Sequence, residues 1–387
     1  MTKSLPSNAT PTLLMWARKA SGISLPLAAE VAKSSESQLA EWEAGKGTPS
    51  LATLRKLASR YKFPLMVFYL PEPPKFAIKK LKDFRSLSLS SEEQFSPELL
   101  YALRVAEERQ AWAASFLEES GFQKCSLVGF ASASSATSEL AESLRQALQM
   151  TMDQQTGAKD ANAAYRLWRT RCEDAGVYVF QAGGVPVEQM RGCAIPDPFA
   201  PVILVNGKDA YTARIFTLIH ELAHIAIGSG AITGGGATDL VAEPAINVER
   251  FCNIVAAEVL LPEREFRVFL PPDWHSEPLL AIQKAATHFK VSRAVVGLRI
   301  VEIGLEDQSF LKELWPQLQS KPMGGGGGKV EQYTKAIGRA GQSFARLALS
   351  AYHSGEIHGG QLSRMLKMSL KHLPGLESQL YPNRLTA

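Results

Sequence analysis

Residues 217–228 read TLIHELAHIAIG, an apolar run in which two of the chain's seven histidines stand four apart around a glutamate. In a helix, positions i and i+4 share a face, so His220 and His224 would turn two imidazoles toward one ion, with Glu221 beside them. That HExxH spacing gives two nitrogen ligands and a carboxylate placed to take a proton from water. A core helix with hydrogen-bonded histidines is the competing reading. A third ligand separates the two, because a catalytic zinc takes three protein groups and keeps one position open.

The extended pattern with a glycine and a third histidine is excluded, since Ile227 and Gly230 occupy those positions. Two downstream carboxylates remain. Glu243 precedes Pro244, which biases it out of helix. Glu249 opens a helical run, NVERFCNIVAAEVLLP (247–262), in which Glu249, Asn253, Ala256, Ala257 and Leu260 share a face. Its alanines allow close approach to the motif helix, and Glu258 should face elsewhere. Glu249 is therefore the expected third ligand.

The remaining sequence frames this site. A chain of 387 residues is long for a single core, and 45% apolar with 21% charged residues is ordinary globular composition. No signal-peptide run or membrane-length apolar stretch is visible, which argues for a cytoplasmic protein with no membrane partner. Cys125, Cys172, Cys193 and Cys252 are widely spaced and read as free thiols. Of the net charge of +4, residues 1–85 carry fourteen Lys/Arg against six Asp/Glu, so a basic front end precedes a mildly acidic body.

Residues 11–70 read as short helices, with caps expected at Ser24, at Ser34 or Ser35, and at Thr48 before Pro49. Further helices are expected over 96–120, 136–150, 159–175, 213–227, 247–261 and 278–304, and a final helical segment over 330–372. Short β-prone runs (VYVF, GCAIP, VILV) fill 176–206. A proline-rich, basic connector over 71–85, a Gly-rich loop after the motif helix and the tract GGGGG at 324–328 punctuate the chain. The expected boundaries are 1–72, a linker 73–92, a catalytic domain 93–322, a Gly linker 323–328 and a C-terminal helical segment 329–387. No chemical motif marks the last of these.

RIFTLIHELAHIAIG followed by VERFCNIVAAEVLLP resembles the ImmA/IrrE family of zinc metallopeptidases, over about residues 160–305. Phe251, Cys252 and Val255 depart from the commonest family pattern but keep its apolar face. The resemblance implies Zn2+ on His220, His224 and Glu249, with Glu221 as general base, in an α+β zincin-like catalytic domain that is mainly α with a small β-sheet. PVILVN ahead of the motif helix is a candidate edge for an extended peptide, through Val205 and Asn206, with a plain structural strand as the equal alternative. Arg214 is a candidate to orient substrate or stabilise an oxyanion, with a surface salt bridge as the favoured alternative for a single Arg.

LAAEVAKSSESQLAEWEAGKGTPSLATLRKLA resembles the helix-turn-helix of the Xre/Cro family, an N-terminal all-α bundle. There the helix from about Ser35 to Glu43 would enter the major groove with Glu36, Ser37 and Glu41 toward the bases. Two of those three are acidic and repel phosphate, whereas Lys33, Lys46, Arg55, Lys56 and Lys62 could contact the backbone. Lys33, Ser37, Lys46 and Arg55 are the nucleic-acid candidates, and a protein-docking or dimerisation role for this module is the alternative. HFKVSRAVVGLRIVEIG (288–304) also has a helix-turn-helix look, read here as packing. The expected function is a zinc endopeptidase that cleaves a specific regulatory protein of repressor or antitoxin type. The alternative is a DNA-binding transcriptional regulator or antitoxin whose metal site is silent or structural. Expected partners are the protein substrate, DNA through the N-terminal domain, and a second copy of the chain.

Overall fold

The computed structural model describes residues 7–74, 95–229, 232–233, 243–318 and 331–382, and in it Ser24 stands at the expected cap position but makes no side-chain cap hydrogen bond, whereas later serines do cap the helices they precede. Helices α1 (Pro11–Ala20) and α2 (Leu25–Ala32) precede α3 (Glu36–Glu43), opened by Ser35, whose Oγ accepts from the Gln38 N–H at 3.2 Å. The cap expected at Thr48 falls instead on Ser50. Its Oγ accepts from the Thr53 N–H at 3.1 Å and also contacts the Thr53 hydroxyl, so α4 (Leu51–Tyr61) starts later than expected. A 3-10 turn at Leu65–Tyr69 follows. The expected connector from residue 75, the Gly tract at 323–328 and nearly all of the Gly-rich loop lie outside the described residues.

The chain divides into two units, Met1–Val105 and Ala106–Ala387, with the division inside helix α5 (Pro97–Glu119). The all-α bundle expected over 1–72 lies within the first unit, which extends beyond it into α5, and its core is built from Leu14, Ala17, Ala28, Leu39, Leu54, Leu57, Tyr61 and Phe68. Arg18 of α1 grips the buried Glu43 at the end of α3 with two hydrogen bonds of 2.7 and 2.8 Å. That bidentate pair fixes the C-terminus of α3 by geometry as well as charge.

The second unit begins with α6 (Thr137–Ala147), α7 (Met152–Thr156) and α8 (Ala161–Asp174), then turns to sheet. Strands β1 (Tyr178–Ala182), β2 (Gly192–Ile195), β3 (Val202–Asn206) and β4 (Ile232–Thr233) lie in the order β1-β3-β2-β4. β1 runs parallel to β3, and β2 is antiparallel to both β3 and β4. Because strand side chains alternate, Val179, Ala194, Ile203 and Val205 share one face. They join one core with Trp168 of α8 and with Ile215, Leu218 and Leu222 of α9 (Tyr211–Ala226), the motif helix.

After α9 come α10 (Glu243–Leu260), α11 (Glu263–Phe269), α12 (Pro278–Phe289), α13 (Arg293–Glu302) and α14 (Gln308–Leu318). Helix α10 starts at Glu243 rather than at 247. Pro244 was expected to push Glu243 out of helix, but a proline is tolerated in a first turn, where its missing N–H has no partner to lose. The expected 278–304 helix is broken at Lys290, which adopts φ 61°. Buried Arg299 of α13 pairs with Glu258 and with Glu302 (2.9 Å) and donates to the Leu261 carbonyl (3.0 Å), so this segment packs against α10, and Glu258 indeed faces away from the site.

The other sheet face is closed by the chain's last helices, α15 (Gln332–Ala340), α16 (Gln342–His353), α17 (Gly359–Leu366) and α18 (Leu373–Leu380). Phe344 of α16 meets Tyr178 and Phe180 edge-on at 6.0 and 5.2 Å, and Arg109 of α5 stacks over Phe180 at 5.1 Å. The 330–372 segment expected as one run holds three short helices, broken where Gly341 takes φ 81° and Gly355 takes φ 83°, and α18 follows it. Among the described residues, no helix is long and apolar enough to cross a membrane.

Candidate metal centre

Helix α9 is buried on every side from Thr217 to Ala226. His220 and His224 are at most 1% exposed and Glu221 is fully buried, so their polar atoms need partners inside the protein. Nε2 of His220 and Nε2 of His224 lie 3.1 Å apart. The Glu249 carboxylate reaches both from α10, Oε2 at 3.2 Å from His220 and Oε1 at 3.1 Å from His224. Buried small residues Cys252 and Ala256 let α10 lie close to α9, whereas Asn253, one turn on from Glu249, is exposed.

Three ligand groups thus form a triangle, with 3.1 Å between the two nitrogens and 3.1–3.2 Å from each nitrogen to a different oxygen of the one carboxylate. A tetrahedral ion bound at about 2.0–2.2 Å has ligand–ligand edges of about 3.3–3.6 Å. The two nitrogens need open only slightly to share such an ion, and either oxygen of Glu249 can serve as the third donor. Nitrogen and carboxylate together also match zinc chemistry. Burial opposes the charge on Glu249, but the hydrogen bonds with His220 and His224 outweigh it and hold the carboxyl well below the usual carboxylate range. About a third of the Glu249 side chain stays exposed, so one side of the triangle faces outward. Among the described residues, this is the one cluster of three His, Cys, Asp or Glu side chains with ligand spacing.

Two buried thiols flank the carboxylates. Burial, then Glu249 and Glu221, push the Cys252 thiol up, and burial, then Glu221 and Glu107, do the same to Cys193. Neither thiol belongs to the cluster with ligand spacing, which holds nitrogen and oxygen donors alone.

Two residues that sequence reasoning missed shape the site. Ser229 places Oγ 2.9 Å from Nδ1 of His224. Gly192 of β2 lies so close to α9 that a Cβ there would overlap Thr217 and come within 2.6 Å of Glu221 Oε1. The available signals were a glycine inside a strand, which often marks close approach, and a serine just past a helix-ending glycine.

The peptide-edge expectation is overturned. β3 pairs with β1 on one side and β2 on the other, so Val205 and Asn206 sit on a central strand with no free edge. Both are fully buried, and the Asn206 side chain donates to the carbonyls of Val185 (3.2 Å) and Met190 (2.8 Å). Arg214 is likewise not at the site surface. It is buried, donates to the carbonyls of Asp209 (2.8 Å) and Gly207, and stacks over Tyr211 at 4.6 Å. Its charge satisfies the turn that launches α9.

In the first unit, Lys33, Ser37, Lys46 and Arg55 are all exposed. Lys33 ends α2 at φ 54°, and the Ser37 hydroxyl lies 2.9 Å from that of Ser35. The exposed side of α3 carries Glu36 and Glu41 and no cation.

Comparison with known proteins places these observations. Residues 172–301 match the model of the IrrE N-terminal-like peptidase domain, and residues 14–68 match a helix-turn-helix model. No curated protein matches the chain. The first match spans both helices of the triangle and the whole β-sheet, and the second spans α2, α3 and α4. Residues 172–301 are therefore similar to an IrrE N-terminal-like peptidase domain, and residues 14–68, ahead of them, to a helix-turn-helix.

Proposed function

We propose that the chain is a zinc-dependent endopeptidase in which His220, His224 and Glu249 hold the ion and Glu221 is the general base. The convergence of two imidazoles and one carboxylate supports this reading, with the nitrogens 3.1 Å apart and each 3.1–3.2 Å from one oxygen of Glu249. Zinc held there supplies a Lewis acid that lowers the pKa of water toward about 7 and polarises a carbonyl. His220 and His224 offer lone pairs from one face of α9, and Glu249 offsets part of the ion's charge. Glu221 accepts a proton from the attacking water and returns it to the leaving amine. Peptide and water approach past the exposed part of Glu249. Strand addition by the peptide falls to an outer edge of the sheet, since β3 is interior.

The substrate we favour is a specific regulatory protein of repressor or antitoxin type, which the presence of a helix-turn-helix domain in the same chain supports. The experiment is Glu221→Gln. The variant should retain zinc and fold but lose cleavage by about 10²–10⁴-fold, and it should trap the substrate. Unchanged biological activity would instead favour the second reading, a DNA-binding regulator with a silent or structural metal site.

That second reading draws on the helix-turn-helix match and the exposed Lys33, Lys46 and Arg55. Gel shifts with genomic fragments at graded salt test it. Each phosphate contact removed should flatten the log–log salt slope by about 0.9. No shift at low salt would make the first unit a protein-docking module, because acidic α3 does not suit generic DNA binding.

A further inference from the structure

We infer that Ser229 is a positioning residue that fixes the His224 imidazole for metal, so that the end of the motif helix is part of the metal site. The inference rests on the ligand set proposed above.

Helix α9 closes in a Schellman arrangement. Gly228 takes φ 69° and its N–H donates to the Ile225 carbonyl at 3.0 Å, while the Ser229 N–H donates to the His224 carbonyl at 3.0 Å. The same Ser229 sets Oγ 2.9 Å from His224 Nδ1. One residue is therefore bonded to His224 twice, through its backbone and through its side chain. A neighbouring strap holds this end in place, with the Gly129 N–H donating to the Ile225 carbonyl at 3.1 Å and the Ala131 N–H to the Ala226 carbonyl at 3.0 Å.

The chemistry follows from the tautomer. An imidazole that binds metal through Nε2 carries its proton on Nδ1 and needs an acceptor there. Ser229 Oγ is that acceptor for His224, leaving the Nε2 lone pair toward His220 and Glu249. Nδ1 of His220 is buried and has no hydrogen-bond partner among the described residues. The orientation of the histidine pair is thus set from the His224 side, by the turn that ends the helix.

The test measures zinc affinity of the full chain by competition with a chromophoric chelator, and the visible spectrum of the cobalt(II) form. Ser229→Ala keeps the backbone bond to His224, so far-UV circular dichroism should not change. It should weaken zinc by about ten- to hundredfold and alter the cobalt spectrum, and Ser229→Thr should restore both. Zinc affinity within about twofold of wild type and an unchanged spectrum in Ser229→Ala would overturn the inference and leave the ligand set standing. A loss that threonine does not restore would also overturn it. Absence of zinc binding by the wild-type chain would overturn the ligand set and this inference together. If the alanine protein does not fold, Ser229→Val is compared with its isostere Ser229→Thr, and equal affinities overturn the inference.

Discussion

Gly192 and Glu221 meet so closely that strand β2 can pass the motif helix only because residue 192 lacks a side chain. The register shows why. Gly192 pairs with Val205 of β3 on the face that α9 covers, and it also pairs with Thr233 of β4. Gly192→Ala is therefore expected to push Glu221 or β2 aside. We expect a loss of about 1–3 kcal/mol of stability from overpacking, and cleavage reduced with zinc affinity largely retained. Denaturant unfolding and chelator competition on the same protein separate the two effects. Unaltered cleavage in a folded G192A protein would show that Glu221 does not depend on this contact.

Arg214 should behave as a structural residue. Its guanidinium serves the Asp209 and Gly207 carbonyls and lies over Tyr211, so Arg214→Lys keeps the charge but loses the fork. The expected result is destabilisation of about 1–3 kcal/mol with KM unchanged in the protein that remains folded. A raised KM without loss of stability would return Arg214 to the substrate.

Tyr178 gives an alkaline test of how the final helices pack. Burial first, then Cys125 and Glu173, push its hydroxyl up to about 12. An unfolded tyrosine titrates near 10, so between about 10 and 12 the folded chain holds a proton that the unfolded chain has released. The contribution is full below pH 10 and is lost as pH rises through about 12. Tyr178→Phe keeps the edge-on contact with Phe344 but has no proton to lose. Stability of wild type relative to Y178F should fall by roughly 2–3 kcal/mol across that window. Parallel curves for the two proteins would contradict the burial.

What could be read from the chain was local. His220, Glu221 and His224 are set by spacing within one helix, and Glu249 by the face it shares with small residues on another. The triangle they form needs only those two helices to touch. Strand order is a different kind of information. β3 follows β2 in sequence yet lies between β1 and β2, and nothing within PVILVN records its two neighbours. For the same reason Arg214 looked available, because its acceptors are backbone carbonyls that no side-chain pattern reveals. The final helices carried no motif because their role is to cover Tyr178 and Phe180, which is a matter of shape.

Glu173, at the end of α8, should be the most sensitive residue outside the site. Its carboxylate is nearly buried and accepts from Arg169 Nε at 3.0 Å and from the N–H groups of Gln342 (2.8 Å) and Ser343 (3.0 Å), the first residues of α16. Arg169 in turn donates to the carbonyls of Gly338 (2.9 Å) and Val179 (2.6 Å), so one ion pair ties α8, β1, α15 and α16 together. A carboxylate at a helix N-terminus is favoured by the exposed N–H groups and the dipole. Glu173→Ala leaves the half-buried Arg169 without its carboxylate partner and strips the start of α16 of its acceptor. The expected loss is about 3–5 kcal/mol. Glu173→Gln keeps an acceptor but not the charge and should lose roughly 1–3 kcal/mol. Urea unfolding measures both, and limited proteolysis should cut the alanine variant first after residue 318, because α16 then loses the acceptor of its first two N–H groups and keeps mainly its apolar contacts. If E173A unfolds with the wild-type midpoint and the final helices stay resistant, the pair is not what fastens them.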